Sequence, residues 1–297
     1  MRIDRSIFAG LDTLRMAAPL PSTGMRPGDR RSRVRGKGLD IADFRPYTPG
    51  DDLRLVDWNV FARLQAVLVK LFHEDRDISV LLVIDASASM GFGTPRKIDH
   101  AGELAACLAF LALRARERVR ISVAAATRQA SRMARGDHLG ALLQIVDALD
   151  DVEPAGAADL PKTLAIELER GRTDHGLLIT DLLVEEEVRE ATLRRLAAVS
   201  KRAILLHTLG DSELAPDLDD GILIDAETGE EVPVRAGKAA AERYQQGLAA
   251  WRASIEQRCS ELGILYAPAF TSVPARTLIA TDLRRRRVTE AARGGGR

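Results

Sequence analysis

Asp85-Ala86-Ser87-Ala88-Ser89-Met90-Gly91 is the stretch of this 297-residue chain best equipped for chemistry. An aspartate followed by hydroxyls at alternating positions can set three hard oxygens around one point, a donor type that suits Mg2+ or another hard divalent ion. A bare Asp-x-Ser-x-Ser string is common. Its position raises its weight, because it directly follows residues 78–84 (ISVLLVI), a continuous apolar run of the kind a strand covered on both faces requires. Open parallel sheets bind ligands outside the carboxyl ends of their strands. The plainer reading is that Ser87 and Ser89 satisfy backbone groups at a strand-to-helix turn while Asp85 pairs with a basic neighbour. Conventional catalytic equipment is absent from the sequence. His73, His100, His138, His175 and His207 are scattered, and no phosphate loop, nucleophile elbow or zinc motif occurs.

The elements that must position this string follow a regular alternation. Helical patterns cover 98–116, 138–149, 160–170 and 185–199, and strand patterns cover 119–126 (VRISVAAA), 176–180 (GLLIT) and 203–209 (AILLHTL). Strands alternating with helices of ten or more residues predict an α/β fold with a doubly wound, mostly parallel sheet. Beyond Gly210, residues 221–234 read as a small hairpin insertion turning near Glu227-Thr228-Gly229. A helix over 239–262, a strand over 264–268 and a terminal helix over 275–287 complete the pattern. Upstream, 5–16 read as an amphipathic helix on Ile7, Phe8, Leu11 and Leu14, 17–38 as an extended loop, and 66–72 as a strand. The expected division is an N-terminal extension (1–76) packed on the main domain (77–288), with a flexible tail (289–297).

The 43 basic and 43 acidic residues cancel, yet basic residues concentrate in 26–37 and in Arg284 to Arg287. Aromatics do not interleave with them, so they read as solvated or locally paired, and nucleic acid is not an expected partner. Cys107 and Cys259 have neither metal-ligand nor disulfide-framework spacing. No apolar run approaches the roughly 18 residues of a membrane span, and the N-terminus lacks a signal-peptide core. The expectation is a cytoplasmic protein without a transmembrane anchor.

The Asp85-x-Ser87-x-Ser89 string resembles the metal-ion-dependent adhesion site of von Willebrand factor A domains, which implies a Rossmann-type, von Willebrand factor A-like fold. The resemblance also implies a threonine and a second aspartate on two later loops. Asp181, in Ile179-Thr180-Asp181, matches the aspartate. Gly156-Ala157-Ala158-Asp159-Leu160 matches the other loop, with Ala158 in the place of the threonine. The implied metal ligands are therefore Asp85, Ser87, Ser89 and Asp181, for Mg2+ or Mn2+. With one oxygen missing, affinity is expected to be reduced or lost.

A second resemblance precedes that site. Gly36-Lys37-Gly38, Phe44-Arg45-Pro46-Tyr47-Thr48-Pro49-Gly50-Asp51-Asp52-Leu53-Arg54, Val56-Asp57-Trp58, Ala62-Arg63 and Val69-Lys70 together are similar to the signature segment of the domain-of-unknown-function 58 family. This implies a non-enzymatic protein-binding or adaptor module acting with a MoxR-type AAA+ ATPase, and through it with a client protein, in chaperone-like assembly or regulation. The alternative is a metal-dependent phosphate-ester hydrolase using Asp85, Asp159 and Asp181. Within the signature, Asp51 or Asp52 is expected to cap the next turn. Arg54, Asp57 and Arg63 are expected to form internal ion pairs over a packed Trp58.

Overall fold

The computed structural model describes residues 3–17, 41–72, 78–126, 130–135, 139–216, 221–224, 229, 231–234 and 237–292. In chain order the strands are β1 (Leu14–Met16), β2 (Ile41–Pro46), β3 (Leu68–Phe72), β4 (Ser79–Asp85), β5 (Arg118–Ala124), β6 (Ala130–Arg135), β7 (Thr173–Thr180), β8 (Ser200–Leu209), β9 (Gly221–Ile224), β10 (Glu231–Val234), β11 (Leu265–Phe270) and β12 (Thr289–Ala291). The helices are α1 (Trp58–Leu64), α2 (Lys97–Arg114), α3 (Leu139–Asp150), α4 (Leu160–Glu169), α5 (Glu186–Val199), α6 (Asp211–Leu214), α7 (Lys238–Glu261) and α8 (Ala275–Leu278). Among the described residues no helix is long and apolar enough to cross a membrane.

The chain divides into two compact units, Met1–Pro19 with Ile78–Arg297, and Leu20–Asp77. The larger unit is built on one six-stranded sheet in the order β11-β8-β7-β4-β5-β6. All neighbours are parallel except the edge pair β5–β6, which is antiparallel. This is the expected doubly wound, mostly parallel sheet. Side chains of β4 alternate between its two faces, as the period of two requires. Val80, Leu82 and Ile84 join α2, α3 and α8 through residues such as Ile98, Leu104, Leu149 and Leu278. Leu81 and Val83 join α4, α5 and α7 through Leu160, Leu164, Leu193, Leu196 and Ile255. Cys107 lies in the first layer and Cys259 in the second. Burial pushes both thiols up to about 12, so they remain protonated.

The topology creates a crevice. From β4 the chain moves through α2 to β5 on one side of the sheet. From β7, the other neighbour of β4, it moves through α5 to β8 on the opposite side. The carboxyl ends of β4 and β7 therefore flank the topological switch point, where such sheets leave room for a ligand.

Several elements depart from the sequence expectation. Residues 5–16 form two 3-10 turns, Arg5–Phe8 and Leu11–Thr13, followed by β1, and not one amphipathic helix. Their apolar side chains are nonetheless buried: Leu11, Leu14 and Met16 enter the first core layer, and Phe8 stacks on Phe110 of α2 at 5.0 Å. This segment therefore belongs to the larger unit and not to a 1–76 extension. The expected tail also begins too early, because Thr289 to Ala291 pair antiparallel with Met16 to Leu14. The terminal helix over 275–287 is present to residue 285, with α8 passing into a π turn over Ile279–Leu283. The hairpin over 221–234 is present as β9 and β10, antiparallel. Part of its turn, the basic stretch 26–37 and the Gly294-Gly295-Gly296 tail lie outside the described residues.

The smaller unit contains the hairpin of β2 and β3, with α1 between them in sequence. Arg45 grips Asp51 with two hydrogen bonds of 2.6 Å, and Asp51 also accepts from the Thr48 backbone at 2.9 Å, closing the Pro49-Gly50 turn, where Gly50 has φ +105°. Asp52 caps the next turn by accepting from the Arg54 backbone, and Asp57 caps α1 by accepting from the Asn59 and Val60 backbones. Trp58 does not pack beneath these groups. It occupies the first position of α1, meets Phe61 edge-to-face at 6.1 Å, and stays 57% exposed.

Candidate functional site

Asp85 ends β4 and is almost fully buried. Its Oδ1 accepts from the Ser87 backbone at 2.9 Å, and its Oδ2 accepts from the Thr180 hydroxyl at 2.6 Å. The partner strand supplies that hydroxyl because β4 and β7 run parallel in register, Ile84 opposite Ile179. The Ser87 and Ser89 hydroxyls lie 3.0 Å apart, both buried. Burial first, and the charge of Asp181 second, push the Asp85 carboxyl up to about 7, against the hydrogen bonds from Thr180 and Ser87.

Asp181 follows β7 on a tight turn in which Leu182 adopts φ +52°. The turn is held by hydrogen bonds from the Leu182 backbone to the Thr180 hydroxyl (2.9 Å) and from the Leu183 backbone to Asp181 Oδ1 (3.1 Å). His207 on β8 braces it from behind. A carbonyl can only accept, so His207 Nε2 donates to the Asp181 carbonyl at 2.9 Å, which leaves Nδ1 to accept from the Tyr266 hydroxyl at 2.9 Å. Burial holds this imidazole neutral, its pKa lowered to about 4.

The remaining oxygen of Asp181 meets a cation from the chain itself. Lys97 Nζ, the first residue of α2, donates to Asp181 Oδ2 at 2.7 Å and also to Glu213 of α6. Lys97 and Asp181 are each 1% exposed. Burial alone draws the ammonium pKa down, but the two carboxylates more than offset this and hold it above its ordinary value. Glu213 in turn accepts from the Gly210 backbone at 2.7 Å.

The loop bearing Ala158 docks against the same turn. The Ala88 backbone donates to the Gly156 carbonyl at 2.8 Å, and the Ala155 backbone donates to the Ala86 carbonyl at 3.1 Å. Gly156 has φ +55°, and a Cβ there would meet the Ala126 methyl at 3.0 Å. Ala158 packs against the second core layer, and Asp159 caps α4 through the Lys162 backbone at 2.9 Å.

A family model described as "Protein of unknown function DUF58" matches residues 43–254, more than half of the chain. The chain belongs to this family. Two relatives, uncharacterized protein Rv1480 of Mycobacterium tuberculosis and uncharacterized protein Mb1516 of Mycobacterium bovis, are each 30% identical over 262 residues, covering 85% of this DUF58 chain and 81% of theirs. Among solved structures, the conserved hypothetical protein BatB from Bacteroides thetaiotaomicron is similar at 14% identity and a TM-score of 0.45, covering 70% of this chain and 98% of that one. A von Willebrand factor type A protein from Catenulispora acidiphila is similar at 11% identity and a TM-score of 0.39, over 75% of this chain and 44% of that one.

The four residues singled out in the sequence, Asp85, Ser87, Ser89 and Asp181, thus all lie buried at the carboxyl rim of β4 and β7. As they stand they do not fit a hard divalent ion. One Asp181 oxygen is held by an ammonium, and the Thr180 hydroxyl is turned to Asp85. Lys97, Thr180 and Glu213 complete the network and were not singled out in the sequence. Thr180 was legible as the neighbour of Asp181, but Lys97 and Glu213 lie 84 and 32 residues from Asp181 and carried no local signal.

Proposed function

We propose that this chain is a non-enzymatic, cytoplasmic protein-binding module that acts with a MoxR-type AAA+ ATPase, and through it on a client protein, with the rim at β4 and β7 as its recognition face. The observation that carries the reading is a pair of large apolar side chains on the loops that also carry the polar network. Phe92, just after the Asp85–Ser89 turn, is 57% exposed, and Leu183, two residues after Asp181, is 45% exposed. Exposed aromatic and aliphatic anchors beside a rigid polar core are the usual anatomy of a protein-binding patch. The network beneath supports this by fixing both loops, which lowers the ordering cost of association.

The test is a titration of the purified MoxR-type ATPase from the same organism with wild-type protein, Phe92→Asp and Leu183→Asp. Each substitution is expected to weaken binding at least tenfold without lowering Tm. Undiminished binding by both variants overturns the reading of the rim. Phosphate-ester turnover that requires Mn2+ and is lost in Asp85→Asn would instead establish the hydrolase.

A further inference from the structure

Lys97 is buried to 1% exposure at a position where a cation is disfavoured twice. A lysine is almost never fully buried unless paired, and the first turn of a helix presents the positive end of its dipole. Both penalties fall on the first residue of the eighteen-residue α2. What offsets them is the pair of carboxylates described above. Asp181 comes from the loop after β7 and Glu213 from α6, which follows β8, so one ammonium joins α2 to two separate segments. Asp85 is tied to the same loop through Thr180, whose hydroxyl donates to Asp85 and accepts from the Leu182 backbone.

We propose that the Lys97 ammonium is the resident cation of this rim, standing between Asp181 and Glu213 so that the rim is closed without any metal ion. An ammonium supplies three donors and a single charge. It neutralises Asp181, which otherwise would be the strongest anionic donor for a divalent ion. Removing Lys97 therefore turns the rim into a divalent-ion site, with Asp85, Ser87, Ser89 and Asp181 as its donors. The proposal concerns the charge balance of the rim and does not require the partner reading.

The experiment uses the full chain, with Tm and calorimetric titration read in EDTA and in millimolar Mn2+ or Mg2+. Wild-type protein is expected to show the same Tm in both and no saturable heat. Lys97→Met is expected to melt lower in EDTA and to recover by several degrees, saturably, in Mn2+. Lys97→Met/Asp181→Asn is expected to lose that recovery. Where Lys97→Met does not fold in EDTA, its refolding yield with and without Mn2+ takes the place of Tm. Saturable Mn2+ binding by wild-type protein that Asp85→Asn abolishes overturns the proposal. So does a Lys97→Met protein whose Tm and refolding yield are both indifferent to Mn2+.

Discussion

Replacing Thr180 by valine keeps the shape of a side chain that is fully buried and removes one oxygen. That oxygen makes two hydrogen bonds, one donated to Asp85 at 2.6 Å and one accepted from the Leu182 backbone at 2.9 Å. A hydrogen bond to a charged or partly charged group contributes about 1.5–3 kcal/mol, and a buried N–H left without an acceptor costs about 1–3 kcal/mol. The second loss falls on a residue already in the left-handed region, whose conformation the turn must impose. Together the expected destabilisation is about 3–5 kcal/mol, a large fraction of a domain stability of about 5–15 kcal/mol. Thr180→Ser keeps the hydroxyl and loses one methyl, which costs only about 1 kcal/mol. Urea unfolding of the three proteins, followed by circular dichroism and extrapolated to water, measures the difference. A valine variant within 1 kcal/mol of wild type, or a serine variant as unstable as the valine one, would refute the hydrogen-bonded rim.

Three further outcomes follow from other buried groups. His175 on β7 is fully buried with neither ring nitrogen hydrogen-bonded among the described residues, and burial lowers its pKa to about 4. His175→Leu should raise stability at neutral pH by about 1–3 kcal/mol and should flatten the loss of stability that wild type suffers as pH falls from about 6.5 towards 4; unchanged urea midpoints at pH 7 and pH 5 would refute this. Glu117, 6% exposed, is pushed up to about 8, mainly by burial. It keeps its proton when folded and loses it near pH 4.3 when unfolded, so its contribution falls by at most about 1.4 kcal/mol per pH unit as pH rises towards 8. Urea melts between pH 6 and pH 8 should be steeper in pH for wild type than for Glu117→Gln, and parallel curves would count against the assignment. Ala158→Thr should leave wild type indifferent to Mn2+, but in a Lys97→Met background it should tighten Mn2+ binding by about 1 kcal/mol, or roughly fivefold, as read by calorimetry.

The parts of the fold legible in the sequence are those whose pattern is local. The run 78–84 has the pattern expected of a strand covered on both faces, and β4 carries its side chains alternately into both core layers. Asp85, Ser87, Ser89 and Asp181 were legible because each sits beside a recognisable strand end. The antiparallel strand β6 (ASRMAR) was not, because its sequence has one large apolar residue, Met133, and no β-branched or aromatic residue to mark it as a strand. Residues 5–16 carry helical spacing, yet Gly10 at φ +82° breaks the helix, the same apolar side chains pack on the first core layer, and β1 pairs with the distant β12. Tertiary pairing of that range overrides local periodicity. Lys97 and Glu213 illustrate the same limit at the site, since a partly buried ion pair between the start of α2 and the distant α6 leaves no mark on either local sequence.

The most direct test of the account is the affinity of this chain for a nucleotide-free MoxR-type ATPase, measured in EDTA and again in excess Mg2+, so that the chelator can act only through this chain's own rim. With Lys97 as the resident cation and Phe92 and Leu183 as anchors, the two dissociation constants should agree within about twofold, a difference of about 0.4 kcal/mol. Binding that disappears in EDTA and returns with Mg2+ would contradict the account.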